Sequence, residues 1–149
     1  MQVRIIFFTF IFLLFLSSQN ISAAEWVYLT DMQGRKHYID KDSIKEESGF
    51  RWSYYKSEYP IEQTGSDLIS KKTYVFNSAV SYMAINCIKR SLTPLSTNYV
   101  DSNDTIVHKI RYSNEKSIID GDKTWELDSN PETFRPHVIN YICNYKITN

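Results

Sequence analysis

Alternating large apolar and polar side chains predict β-strands along most of the chain after residue 25. The segments Trp26 to Thr30 and Lys36 to Ile39 show this alternation on either side of a turn. Gly34 in that turn can adopt the positive φ of a tight connection, so the two segments are predicted to form a hairpin. Phe50 to Tyr59 is the next predicted strand, and Pro60 is expected to end it.

The alternation in this third strand separates two faces of different composition. One face carries Phe50, Trp52, Tyr54 and Lys56, and the other carries Arg51, Ser53, Tyr55 and Ser57. Ile61 to Ser70 follows without a clear period and contains Gly65 and Asp67. We therefore predict an exposed, mobile loop in that segment.

Lys72 to Arg90 is the longest strand-like stretch. Its two faces carry Met83, Ile85 and Cys87 on one side and Tyr82, Ala84, Asn86 and Ile88 on the other. Because both faces are partly apolar, this stretch is predicted to be a central strand. Thr97 to Val100 and Thr105 to Tyr112 predict two further strands, joined by a polar turn at Asp101 to Asp104.

The last predicted element is a helix. Asn130 and Pro131 suit a first helical turn that reaches Phe134. Because a proline removes a backbone donor inside a helix, the main helix is predicted to run from Pro136 to Asn144. Its apolar stripe contains Val138, Ile139, Ile142, Cys143 and Tyr145. The predicted fold class is α+β, with an antiparallel sheet of about six strands and this C-terminal helix packed on it.

Residues 1–24 have the pattern of a secretory signal peptide. Arg4 precedes an apolar run from Ile5 to Leu16, and Ala24 is the small residue before a cut at Glu25. A membrane anchor is the alternative, but the run has 12 residues, whereas a span needs roughly 20. We expect a single domain at residues 25–149 with no transmembrane span. No cysteine lies near the cut, so we expect no lipid anchor at the N-terminus.

The charge pattern excludes one class of partner. The full chain has 17 basic and 17 acidic side chains, and loss of Arg4 with the signal leaves a net charge of −1. The charges are interspersed and form no basic stripe, so we expect no nucleic-acid partner. All 11 tyrosines and three tryptophans remain after cleavage. These residues have an apolar body and a polar tip, which suits sheet faces and contact surfaces.

Cys87 and Cys143 are the two cysteines of the chain. An even count in an exported protein favours a disulfide, and with two cysteines only one pairing exists. Cys87 would then tie the sheet to Cys143 on the C-terminal helix. The alternative is two free buried thiols that act as small apolar groups.

Residues 37–44, HYIDKDSI, contain side chains that a catalytic relay or a metal site would use. However, His37 and Asp40 point to opposite faces of a strand, and no G-x-S-x-G motif surrounds Ser43. A calcium loop starting at Asp40 and Asp42 would need a further oxygen ligand, a glycine and a late glutamate. The chain has at those positions Ile44, Lys45 and Arg51. We therefore predict no catalytic residue, no cofactor and no metal site.

The same stretch has a structural interpretation. The strand ends at Ile39, and Asp40 to Asp42 turn the chain. Ser43 and Glu46 match the S-x-x-E capping box of a short helical turn. Gly49 is then expected to end this turn, and the next strand follows it.

Individually weak motifs follow one another across most of the chain. They are Trp26, Y-I-D-x-D-S-I at residues 38–44, Trp52, Cys87 with Ile88, Lys89 and Arg90, then Tyr99, Trp125 and Cys143. Their order and spacing resemble the surface-adhesin protein E family over residues 25–143. This resemblance implies a small exported bacterial domain in which a disulfide ties a C-terminal helix to an antiparallel sheet.

The resemblance also implies a function. It points to a non-enzymatic bacterial surface adhesin, a virulence factor that binds host matrix or serum proteins such as vitronectin, laminin and plasminogen. The family's adhesin is a lipoprotein, and the missing cysteine departs from that pattern. Periplasmic, secreted and surface-associated locations therefore stay open. The alternative function is a periplasmic accessory or inhibitor domain with a bacterial partner. The sequence also leaves open whether the chain forms a homodimer.

The signal pattern gives a first testable prediction. Cells that export the full chain should yield a protein that begins at Glu25, because Ala24 offers the small residue that signal peptidase requires. N-terminal sequencing or intact-mass measurement of the exported protein checks this. Recovery of the protein from membranes with residues 1–24 still attached would contradict it.

Overall fold

An antiparallel sheet organises the computed structural model, which describes residues 24–121, 126–127 and 133–147. The strands are β1 Trp26–Met32, β2 Arg35–Asp40, β3 Lys45–Glu47, β4 Phe50–Ser66, β5 Thr73–Asn86, β6 Ser91–Val100, β7 Ile106–Arg111 and β8 Glu126–Leu127, and the helices are α1 Glu115–Ile119 and α2 Arg135–Asn144. Six strands follow one another in the order β1-β2-β4-β5-β6-β7, while β3 pairs with β4 and β8 with β6. The predicted class and the predicted number of strands are confirmed.

Two-residue turns with positive φ set the first hairpins. Gln33 and Gly34 have φ values of 53° and 70° and join β1 to β2, as the glycine predicted. Ser48 and Gly49, at 54° and 79°, join β3 to β4 in the same way. Gly49 therefore precedes β4 as part of a hairpin turn, whereas the sequence predicted that it would follow a short helical turn. Between β2 and β3 the chain forms a three-residue 3-10 turn, Lys41–Ser43.

The longest strand differs from the prediction at Pro60. β4 continues through this proline to Ser66, so the predicted loop is wrong as far as that residue. The β4–β5 register shifts between Glu58 and Gln63. Pro60 therefore lies in a bulge, where a missing N–H removes no regular ladder bond.

The far part of the β4–β5 hairpin, residues 59–77, extends past the last residue of β4 that pairs with β2, Glu58. We call this part the arm. A Cβ atom at Gly65 would lie 2.4 Å from the ring of Tyr74, its direct cross-strand partner. The glycine is therefore required for the Tyr74 ring to lie across β4.

The sequence pattern did not predict α1. Asn114 caps this five-residue helix by accepting a hydrogen bond from the N–H of Ser117. Ile118 is fully buried and packs with Trp52 and Leu95 on one face of the sheet. Gly121 follows the helix with a φ of 82°, in the region that glycine adopts readily. Trp125, one of the motifs of the family resemblance, lies outside the described residues.

Helix α2 covers the other face of the sheet. It starts one residue before the predicted position and ends as predicted at Asn144. The predicted first turn at Asn130 and Pro131 lies outside the described residues. The main apolar cluster combines Ile39, Ile44, Tyr55, Met83, Ile85 and Leu92 with Val138, Ile139 and Ile142 of α2. Burial of these side chains is the principal stabilisation of the domain.

A disulfide fastens α2 to the sheet. Cys87, just after β5, is bonded to Cys143 in the last turn of α2, with 5.6 Å between their Cα atoms. Nearby, Arg51 donates hydrogen bonds of 2.5 and 2.8 Å to the carbonyls of Ile142 and Tyr145. A cation at these carbonyls also interacts favourably with the helix dipole. The predicted pairing of the two cysteines is confirmed.

His37 lies in the core and is only 1% exposed. Its Nε2 is 3.1 Å from the carbonyl oxygen of Met32, which can only accept, so this nitrogen carries the proton. Nδ1 then accepts from the hydroxyl of Tyr55 at 2.5 Å. Phe134 stacks on the imidazole ring with 5.3 Å between centroids. Burial lowers the pKa of His37 and raises that of Tyr55.

Removal of the disulfide should destabilise the protein substantially. The cysteines are 56 residues apart, and a loop of that length corresponds to about 4 kcal/mol of unfolding free energy. Urea unfolding of a Cys87→Ala, Cys143→Ala variant should show a loss of this size. The wild-type protein with reduced thiols is the control and should lose a similar amount. An unchanged midpoint in both would contradict the role assigned to the bond.

Burial of neutral His37 predicts a loss of stability in mild acid. The unfolded chain takes up a proton near pH 6.5 and the folded chain only at lower pH, so stability is greatest above pH 6.5 and falls as the pH drops below it. Urea unfolding between pH 5 and 7.5 measures this slope. In His37→Gln the slope should largely disappear, whatever the variant's absolute stability. His108→Gln, at a less buried site, should keep the slope, and its loss there instead would refute the assignment.

Candidate functional site

The sheet face turned away from α2 carries a row of aromatic and charged side chains, which we call the open face. Its members are Trp26, Tyr28, Tyr38, Tyr54, Lys56, Glu58 and Tyr82. Register places Tyr28 opposite Tyr38, and Tyr38 opposite Lys56. Tyr54 lies opposite Tyr82, so the row crosses four strands. Opposed side chains of paired strands lie on the same face, which forms one continuous surface.

Lys56 is the central charge of the open face. Its Nζ lies 4.9 Å from the ring centroid of Trp26 and 4.8 Å from that of Tyr38. The same Nζ is 2.7 Å from a carboxylate oxygen of Glu58. Two ring faces and a carboxylate thus hold the ammonium group, whose interaction with the rings is electrostatic. The position of this cation is therefore fixed before any partner binds.

The acid–base properties of this group preserve its charges at neutral pH. Burial and a hydrogen bond to Glu58 raise the pKa of Tyr38 to about 12, so its hydroxyl stays protonated. Burial would raise the pKa of Glu58, but hydrogen bonds from Lys56 and Tyr38 lower it overall. The open face therefore presents a cation, an anion and a phenol donor in fixed positions.

Two tyrosines provide exposed apolar area on the open face. Tyr28 is 52% exposed and Tyr54 is 41% exposed. The Tyr54 ring lies 4.9 Å from that of Tyr82, whose hydroxyl donates to Glu115 of α1 at 2.7 Å. Burial, followed by this hydrogen bond, raises the pKa of Tyr82 to about 12. A tyrosine whose ring already packs against a neighbouring ring loses little conformational freedom when a partner buries its surface.

Polar side chains of the HYIDKDSI stretch form hydrogen bonds within the domain. Asp40 caps the 3-10 turn by accepting from the N–H of Asp42 at 3.2 Å. Ser43 donates to the carbonyl of Asp40 at 2.7 Å and accepts from the N–H of Tyr54 at 2.9 Å. The hydrogen bonds of His37 go to Met32 and Tyr55 in the core, and neither of these partners is Asp40 or Ser43.

The predicted capping box is wrong in detail. Asp40, rather than Ser43, is the cap, since the helical turn begins at Lys41. Glu46 lies in β3 and forms an ion pair with Arg51 at 3.1 Å. The S-x-x-E pattern therefore coincides with a strand, because β3 pairs with β4 in place of a longer helix.

The described residues contain no group of three or more His, Cys, Asp or Glu side chains that could hold a metal ion. No helix in the described ranges is long and apolar enough to cross a membrane. Asp101, at the start of the polar turn predicted after β6, accepts from the N–H groups of Asn103 and Thr105, both at 2.9 Å. That carboxylate thus orders the β6–β7 turn.

Sequence alternation predicted part of the open face. Trp52, Tyr54 and Lys56 share one side of β4, as expected. The contacts of Lys56 with Trp26 and Tyr38 were not predicted, because they depend on the registers of β1, β2 and β4. In the sequence, the turn at Gly34 was the one feature that indicated the register of β1 with β2.

Two solved structures are similar to this chain. A structure of Haemophilus influenzae protein E is 18% identical, with 79% of this chain and 83% of that chain covered and a TM-score of 0.46. A crystal structure of protein E from non-typeable Haemophilus influenzae is also 18% identical, with 83% and 80% covered and a TM-score of 0.43. Curated protein sequences give no match. The surface-adhesin protein E family profile matches residues 26–144, and the chain therefore belongs to this family.

Proposed function

We propose that this adhesin-like protein, exported after cleavage before Glu25, binds another protein through its open face and catalyses no reaction. The observation that supports this proposal most is the position of Lys56, which is held by two aromatic rings and Glu58 beside exposed tyrosines. Membership of an adhesin family supports a protein partner. Vitronectin, laminin and plasminogen are the host partners that the family resemblance suggests.

The chemistry of the open face suits a protein contact. Tyrosine, tryptophan and charged groups in fixed geometry are typical of interface hot spots. The rings of Tyr28 and Tyr54 supply apolar area, and the pair of Lys56 with Glu58 supplies charge that can select a complementary partner. His37 and Ser43 are both committed to internal hydrogen bonds, which supports a non-enzymatic role.

Binding should depend on the exposed tyrosines of the open face. Immobilised vitronectin, laminin and plasminogen are probed with exported wild-type protein and with a Tyr28→Ala, Tyr54→Ala variant. The wild type should bind at least one of them saturably, and the variant should bind roughly tenfold or more weakly, as expected for hot-spot tyrosines. Both side chains are exposed and belong to neither apolar core cluster, so the fold should persist.

Tyr112→Ala is the matched control, because this tyrosine is 45% exposed and interacts with Tyr74 and Tyr99, away from the open face. It should bind like the wild type. Equal losses in the control and the double variant would refute the open face as the site. If the wild type binds none of the three and is captured by a periplasmic bacterial protein, the host-adhesin proposal fails and the accessory-domain function replaces it.

A further inference from the structure

Exposed aliphatic side chains are concentrated in the arm. Of the seven large aliphatic residues that are exposed in the described part of the chain, four lie between residues 61 and 75. They are Ile61, Leu68, Ile69 and Val75. Leu68 and Ile69, at the tip, are 83% and 95% exposed. Clustered apolar exposure of this kind marks a contact surface more often than scattered single residues do.

Internal hydrogen bonds order the tip. The side chain of Asp67 accepts from the N–H groups of Ile69 at 2.9 Å and Ser70 at 2.6 Å. Asp67 also donates its own N–H to the carbonyl of Lys72 and accepts at its carbonyl from the N–H of Lys71, both at 2.9 Å. Four backbone donors of the tip are thus satisfied within the tip. The exposed side chains of Leu68 and Ile69 are held outward on an ordered turn.

The arm itself is supported from β7. The ring of Tyr74 stacks on His108 with 4.3 Å between centroids. His108 Nε2 lies 3.7 Å from the second carboxylate oxygen of Asp67. The negative charge of the tip therefore faces inwards, towards the sheet. Hydrogen bonds from Ser70 lower the pKa of Asp67, which keeps this carboxylate ionised in its internal role.

Two exposed cations, Lys71 and Lys72, follow the apolar pair, and neither forms an ion pair within the part of the chain that the structure describes. An aliphatic pair beside lysines is the chemistry of interfacial membrane binding. We propose that the tip of the arm docks on an anionic phospholipid bilayer, with Leu68 and Ile69 inserted among the acyl chains and the two lysines bound to headgroup phosphates.

Four backbone hydrogen bonds within the tip favour a lipid surface over a protein pocket. Backbone groups that enter a bilayer must find their hydrogen-bond partners within the protein, since acyl chains provide none. The N–H groups of Asp67, Ile69, Ser70 and Lys71 already do so. Because these N–H groups are already hydrogen-bonded within the tip, they offer few hydrogen bonds to a protein partner. A bilayer requires only apolar area and positive charge. This surface is separate from the open face, so the two proposals can fail independently.

Vesicle flotation tests the proposal with exported wild-type protein. Vesicles of phosphatidylcholine with one quarter phosphatidylglycerol should bind the protein, and pure phosphatidylcholine should bind it far less. Leu68→Ser, Ile69→Ser should abolish measurable binding to the anionic vesicles. Lys71→Gln, Lys72→Gln should weaken it roughly fivefold per lysine at low salt. Thermal unfolding and disulfide mapping should show that both variants keep the wild-type fold.

Ile88→Ser is the matched control, because Ile88 is 93% exposed and precedes Lys89 at the opposite end of β5. It should bind like the wild type, and all variants share one N-terminus, so any contribution from that segment cancels. Absence of wild-type binding, equal binding by the Leu68→Ser, Ile69→Ser variant, or an equal loss in Ile88→Ser would overturn the proposal. If the tip variant loses only binding to a protein ligand, the tip is a protein contact and the lipid assignment is wrong.

Discussion

The attachment of α2 to one side of the sheet makes the two faces of this domain different. A sheet can bury an apolar face only where another element covers it. Here a ten-residue helix covers one face with three buried aliphatic side chains, and the bond between Cys87 and Cys143 fixes its C-terminal end. Within the described residues, no helix other than the short α1 packs on the other face. Rings with polar tips and a fixed ion pair occupy it, which is how a half-covered sheet becomes a contact surface.

The period-2 pattern of the sequence predicted the faces well, because side chains alternate strictly along a paired strand. Met83 and Ile85 lie under the helix, and Trp52 and Tyr54 lie on the opposite side, as this pattern requires. The prediction failed at Pro60, where a bulge accommodates a residue that regular pairing excludes. It also missed α1, since five residues are too few to show a helical period.

The candidate surfaces were less predictable than the fold. The tyrosine content indicated that contact surfaces exist but not where they lie. The strand registers decide which rings contact Lys56, and a single sequence indicates a register only through its turns. The arm tip was missed for a related reason. The polar residues around Gly65 and Asp67 indicated a loop, yet Gln63 to Ser66 pair with β5, and the side chain of Asp67 accepts hydrogen bonds inside the turn.

The close approach of Tyr74 to Gly65 couples two positions that are nine residues apart. The phenol ring occupies the volume that any larger residue at position 65 would need. The same ring stacks on His108, which contacts the turn carboxylate of Asp67. Among descendants of this gene, a side chain at position 65 should therefore arise together with a smaller residue at position 74. Such paired replacement would leave the helix-covered core untouched, because neither residue belongs to it.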